Sequence, residues 1–129
     1  QSLAPRVIRA QALECLDRVG LSAIAAQRAD SLSGGQSQRV AIARALMQQP
    51  DIVLADEPAA SLDPQAGDEV MQLFAALMRK ESKTVVFTSH NLTHALQFAD
   101  RVIAIGAGRI LLDAPADRLK EAELRGLYA

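Results

Sequence analysis

The chain has 129 residues with 14 basic and 15 acidic side chains, half of its residues are apolar, and only 3% are aromatic, with no Trp. That length fits one domain or part of one, able to bury about two thirds of its unfolded surface, and its core must be aliphatic. A balanced charge with no block of either sign excludes a nucleic-acid footprint or a polybasic membrane patch, no apolar run is long enough to cross a bilayer, and no signal peptide is expected.

Pro5 suits the first turn of a helix, Val7, Ile8, Leu13, Leu16 and Val19 recur near helical spacing, and Gly20 suits its stop, which predicts a helix over 5–19. Cys15 falls inside it. As the only cysteine it forbids an internal disulfide, fits a reducing compartment, and reads as a buried small hydrophobe. A weaker, shorter helix is expected over 22–29. Ser33-Gly34-Gly35-Gln36 fits the Ser-x-x-Gln capping box and should open a helix running to about Met47. Pro50 then turns the chain extended, and Ile52-Val53-Leu54-Ala55 is an unbroken apolar run of the kind found in parallel strands buried on both faces.

Asp63 and Pro64 supply a cap and a first helical residue, and Val70, Leu73, Phe74 and Leu77 line the buried face of the helix that follows. Thr84–Thr88 reads as a second buried strand, and strand, helix, strand implies a right-handed parallel crossover. A helix over about 91–99, a strand over 101–105, a Gly106-Ala107-Gly108 turn, a strand over 109–112, and a last helix from Pro115 or Ala116 complete the chain. The expected division is a helical part over 1–48 and an α/β part over 49–129.

Two segments carry chemistry. A helix amino terminus offers unpaired N–H groups and a partial positive charge, which bind anions such as phosphate, and Gly34 and Gly35 leave that approach clear. Ser-Gly-Gly alone reads as a tight capping turn, but Leu32-Ser33-Gly34-Gly35-Gln36 as a whole arises by chance on the order of once per million positions. Asp56 and Glu57 end an apolar strand, and open α/β sheets bind ligands at the carboxyl ends of their strands. The bland alternative is an acidic turn. His90 follows the second strand, where a lone His is ordinarily a solvated loop residue; His94 has no motif and reads as structural or solvent-facing. Arg39 and Arg44 read as helix-surface or interface groups.

With their continuation Arg39-Val40-Ala41-Ile42-Ala43-Arg44-Ala45-Leu46, these segments resemble the ATP-binding cassette (ABC) ATPases over nearly the whole chain. The resemblance implies an α/β P-loop NTPase-type fragment: a helical signature subdomain and the carboxyl half of a mainly parallel sheet core. It implies that Ser33, Gly34, Gly35 and Gln36 cover the γ-phosphate of ATP held by a second, head-to-tail subunit. By the same resemblance Asp56 holds magnesium, Glu57 polarises the attacking water, Ser61 and Asp63 belong to an interface D-loop, and His90 is the switch histidine on the γ-phosphate. Residues 5–30 would lean on a membrane permease, which makes the subunit cytoplasmic and peripheral at the inner face of the membrane.

Val19-Gly20-Leu21, Arg28-Ala29-Asp30 and the run from Leu54 to Pro64 resemble the phosphonate-importer branch. No Gly-x-x-x-x-Gly-Lys-Ser/Thr loop occurs in the 129 residues, nor an adenine-stacking aromatic or a magnesium-sensing glutamine in the family's place for them. The chain alone is therefore expected neither to bind ATP tightly nor to hydrolyse it, and its sheet to present an open apolar edge and face, prone to self-association. The rival expectations are a cassette ATPase of an exporter or soluble process, and a non-catalytic module whose signature docks onto a complete partner.

Overall fold

The computed structural model describes residues 5–26 and 31–128. They divide between Phe87 and Thr88 into two compact units, so that residue 48 falls inside the first unit.

In the first unit, helix α1 (Pro5–Arg18) ends as its sequence dictates. Gly20 adopts φ +75°, its N–H donates to Asp17 C=O at 3.0 Å, and Leu21 N–H donates to Leu16 C=O at 2.8 Å. This pair of bonds closes the helix with a left-handed glycine and buries Leu21. The helix expected over 22–29 is a three-residue 3-10 turn at Ser22–Ile24; Arg28, Ala29 and Asp30 lie outside the described residues. Helix α2 (Gly34–Met47) begins on a complete capping box, with Gln36 N–H donating to Ser33 Oγ at 3.1 Å and Ser33 N–H to Gln36 Oε1 at 3.0 Å.

Strand β1 (Ile52–Asp56), helix α3 (Pro64–Lys80) and strand β2 (Thr84–Thr88) follow. Thr84 N–H donates to Asp51 C=O at 3.0 Å, so the paired strands start side by side and run the same way. Asp63 accepts from Ala66 N–H at 2.9 Å and Pro64 takes the first helical position, the expected start of α3. Its buried side is wider than the expected stripe: Val70, Phe74 and Leu77 are joined by Met71 and Met78, and Leu73 is half-buried. Val70, Phe74, Leu77 and Met78 meet Ile42, Ala43 and Leu46 of α2, Cys15 and Val19 of α1 and its end, and Val53 of β1 in one core.

The strands depart from expectation. Val53 is buried, but Leu54 is 77% exposed and Ile52 and Val86 are also exposed, so the apolar runs are covered on one side rather than two. A continuous apolar sequence marks a strand suited to burial on both faces, and only one of the two covering layers is present among the described residues.

In the second unit, helix α4 (Leu92–Phe98) leads into an antiparallel hairpin of β3 (Arg101–Gly106) and β4 (Arg109–Pro115), and helix α5 (Glu121–Leu127) closes the chain. Gly106 pairs with Arg109, which leaves Ala107 (φ +50°) and Gly108 (φ +74°) as a two-residue turn, the primed type that matches strand twist. The strand expected to stop at 112 runs to Pro115, because Arg101 pairs with Pro115 and Asp100 C=O captures Ala116 N–H at 2.9 Å. The last helix consequently starts at Glu121, after a 3-10 turn over Ala116–Arg118. Val102, Ala104, Ala116 and Leu124 form this unit's core, while Ile103, Ile105 and Ile110 face outward.

Candidate functional site

The turn that opens α2 faces outward. Ser33 and Gly34 are exposed and Gly35 and Gln36 half-buried. A Cβ placed on Gly35 would meet nothing within 4 Å, so the approach to the helix end is open. The capping box takes up Gln36 N–H, and Ser37 N–H donates to Ser33 C=O at 2.8 Å. The amides of Gly34 and Gly35 precede the first intrahelical bond and sit at the positive end of a 14-residue helix. That is the arrangement an anion needs, with backbone donors and open space beside Gly35.

Strand β1 delivers Asp56, exposed, at its carboxyl end, and the next residue leaves strand geometry. Glu57 has φ +46°, the left-handed region that non-glycine residues seldom occupy, at a cost of about 1 kcal/mol. Pro58 follows in a turn closed by Ala60 N–H donating to Glu57 C=O at 3.1 Å, and Leu62 N–H then donates to Ala59 C=O at 3.2 Å. Two successive turns thus carry the chain from the acid pair to the Asp63 cap. The left-handed backbone at Glu57 was not visible in the sequence; the only hint is the Glu-Pro step, which disfavours a right-handed helical conformation before the proline.

Among the described residues no three His, Cys, Asp or Glu side chains gather as a ready metal cage. Magnesium does not need one. It binds through one or two carboxylates with phosphate oxygens and water completing an octahedron, so the single exposed Asp56 carboxylate fits the role of one ligand beside a triphosphate.

Gly34 and Leu62 come together: a Cβ on Gly34 would lie 3.1 Å from Leu62 Cδ2, so the Ser33–Gln36 turn and the Ser61–Asp63 segment abut within the first unit. His90 belongs to the second unit, exposed in a bracket where Asn91 N–H donates to Ser89 Oγ at 2.9 Å. Asn91 in turn caps α4 by accepting from His94 N–H at 3.0 Å. His94 is buried with its ring edge-on to Phe98 at 5.7 Å, so of its two expected roles it takes the structural one and does not face solvent.

Arg39 is more than a surface group. Half-buried on α2, it donates from Nη1 to Val19 C=O at 3.1 Å and ties α2 to the end of α1; Arg44 is exposed. A cleft of about 480 Å³ lined in part by Glu14, Cys15, Arg18, Glu81 and Lys83 sits at the carboxyl end of α2, a helix length of about 20 Å from the Ser33 cap. Arg18 bridges Glu14 at 2.9 Å and Glu81 at 2.7 Å there. Burial pushes the Cys15 thiol above its ordinary 9.0, against the opposing charge of Arg18, which favours the neutral thiol over the nucleophilic thiolate.

Residues 5–60 match the family model described as ABC transporter. The chain is 52% identical over 118 residues to a phosphonates import ATP-binding protein of Pseudomonas aeruginosa, covering 92% of this chain and 42% of the relative. It is 52% identical to its counterpart from Stutzerimonas stutzeri over the same length, 43% of that relative. Among solved structures, cbiO1 of Clostridium perfringens, part of the ABC transporter complex cbiONQ, superposes with a TM-score of 0.83 at 29% identity over 92% of this chain and 47% of its own. The ATP-binding cassette MJ0796, dimeric in a post-hydrolysis state with ADP and Pi, superposes with a TM-score of 0.75 at 38% identity over 90% and 50%. The chain spans somewhat under half the length of the curated relatives it matches. Its fold is that of about half an ABC ATPase cassette, mixed helix and strand, and its sequence is similar to the phosphonate-import ATP-binding proteins.

Proposed function

We propose that this chain is the signature-bearing half of the ATP-hydrolysing subunit of an ABC importer whose cargo is a phosphonate or related oxyanion. The observation that carries the reading is the open Gly34–Gly35 helix start held in one unit with the Asp56-Glu57 strand end. The first is built to cover an anion, and the second offers carboxylates for metal and water. In the working subunit the Ser33, Gly34, Gly35 and Gln36 turn caps the triphosphate bound by a second, head-to-tail copy. Asp56 is the protein's ligand to magnesium, which when bound neutralises charge on the phosphates. Glu57 orients water for attack on the γ-phosphate and His90 contacts that phosphate. Ser61 and Asp63 line the interface between copies.

The boundary near residue 48 is then that between the signature subdomain and the ATPase core. Residues 5–30 meet a membrane permease, with the subunit in the cytoplasm at the inner membrane face. The identity to phosphonate-import proteins favours importer over exporter, and the proposed cargo is taken from those relatives' names.

Two measurements test the reading. The chain alone should show no magnesium-dependent ATP turnover. Joined behind the phosphate-loop half of the Stutzerimonas stutzeri relative, it should hydrolyse ATP and lose that activity with Glu57→Gln; turnover that survives the substitution rejects the role of Glu57.

A further inference from the structure

Two interface segments named above meet through one side chain. Leu62 stands immediately before Asp63, the cap of α3, and Gly34 immediately after Ser33, the cap of α2. A residue placed as Leu62 is ordinarily stapled onto the fourth residue of its own helix. Here that residue is Gly67, which has no side chain to offer. Leu62 instead packs on the unit's aliphatic core, with its Cδ2 3.1 Å from where a Cβ of residue 34 would stand. Glycine at 34 thus serves twice, leaving the helix start bare and giving Leu62 room that a Cβ would tighten by a few tenths of an ångström. Leu62 reaches its place through the Ala59 C=O bond, and Glu57 C=O anchors the turn before it, so two hydrogen-bonded turns lead from the acid pair to Leu62, and a side-chain contact from Leu62 to the signature turn.

We propose that Leu62 is a positioning residue that locks the Ser33–Gln36 turn to the Ser61–Asp63 segment, so that both interface elements present themselves to the partner's nucleotide as one rigid piece. The inference rests on the proposed ATPase reading. Its chemistry is steric: a branched aliphatic wedge seated against a bare Cα couples the amino termini of two helices, and a shift at one cap is felt at the other.

Amide hydrogen exchange on the full chain tests the coupling without any reference to activity. In Leu62→Ala the Gln36 and Ala66 amides, each held by its own cap, should exchange faster together, on the order of tenfold, while amides in the middle of α3 keep their protection. Acceleration at Ala66 alone overturns the proposal. Leu62→Met, which refills the space, should restore both. Gly34→Ala should disturb both caps, and Gly34→Ala with Leu62→Ala should disturb them less than the two effects summed; simple additivity overturns the contact.

The functional arm uses the chain joined to the phosphate-loop half of the Stutzerimonas stutzeri relative. Leu62→Ala should lower kcat at least about tenfold with unchanged MgADP affinity, and Leu62→Met should recover it. An unchanged kcat in Leu62→Ala beside an inactive Glu57→Gln rejects the positioning role alone. Activity that survives Glu57→Gln rejects the ATPase reading and this role with it.

Discussion

Helix α3 and strand β1 carry similarly apolar sequences and have opposite fates. Along α3 the apolar residues recur every three or four positions, and the side they form is met by α1, α2 and Val53 within the same unit. Along β1 they are consecutive, so alternate side chains point to opposite faces, and the face of Ile52 and Leu54 is left to solvent. A helix needs one partner layer and a central strand needs two. The difference shows that apolar sequence reports what an element is fit to contact, not whether the contact is present.

The sharpest way to break this comparison is to truncate one residue from each element. Phe74→Ala should cost about 3–5 kcal/mol in urea denaturation, because it empties a buried ring site, whereas Leu54→Ala should cost less than about 0.5 kcal/mol. A large, concentration-dependent cost at Leu54 would mean that copies cover one another's open faces. Next in size is the cap of α3: Asp63→Ala should cost about 1 kcal/mol of stability through loss of the Ala66 bond, read from the shift in thermal midpoint.

A substitution whose two stability terms offset separates strand fold from strand function. Glu57→Gly removes the left-handed strain at the end of β1, worth about 1 kcal/mol, against glycine's larger unfolded-state entropy of similar size. Stability should therefore stay level, while the carboxylate is gone and any hydrolysis with it. A marked loss of stability would show that the carboxylate holds the turn.

The smallest effect is in the second unit. A hydrogen bond from Arg125 at 2.6 Å holds the Glu121 carboxyl below its ordinary 4.5, helped by Thr93 and opposed by desolvation. A depressed carboxylate pKa contributes stability that is fully present above pH 4.5 and is lost as the pH falls through the folded value. Arg125→Ala should flatten that acid limb slightly and leave the thermal midpoint near pH 7 almost unchanged, because solvent screens an exposed pair one helical turn apart.

Much of the fold was legible because its signals are local. Ser33 and Gln36, Asp63 and Pro64, and Gly20 each set a helix end through bonds to neighbours a few residues away, and those ends stand where the sequence placed them. Thr84–Thr88 was bounded correctly for the same reason. The end of β4 was misjudged because it depends on pairing with Arg101, a contact across the hairpin that no local pattern encodes. At the candidate site, residue types and spacing marked the Gly34–Gly35 turn and the acid pair. The wedge of Leu62 against Gly34 was hidden, since it joins positions 28 apart, although the glycine at position 67 was a trace of it. Arg39 was underrated for a like reason: its acceptor is a backbone carbonyl, and sequence names no carbonyls.

Tyr128 is the chain's single tyrosine, there is no tryptophan, and its phenol donates to Ile105 C=O at 3.1 Å beside Gly106 of the hairpin. Tyrosine emission, excited at wavelengths that phenylalanine does not absorb, therefore comes from one end of the polypeptide only. A denaturation followed by that light reads the second unit, whereas far-ultraviolet ellipticity, dominated by α1, α2 and α3, reads the first. Two midpoints that fail to coincide would reveal that the units melt separately, with no dye or label added.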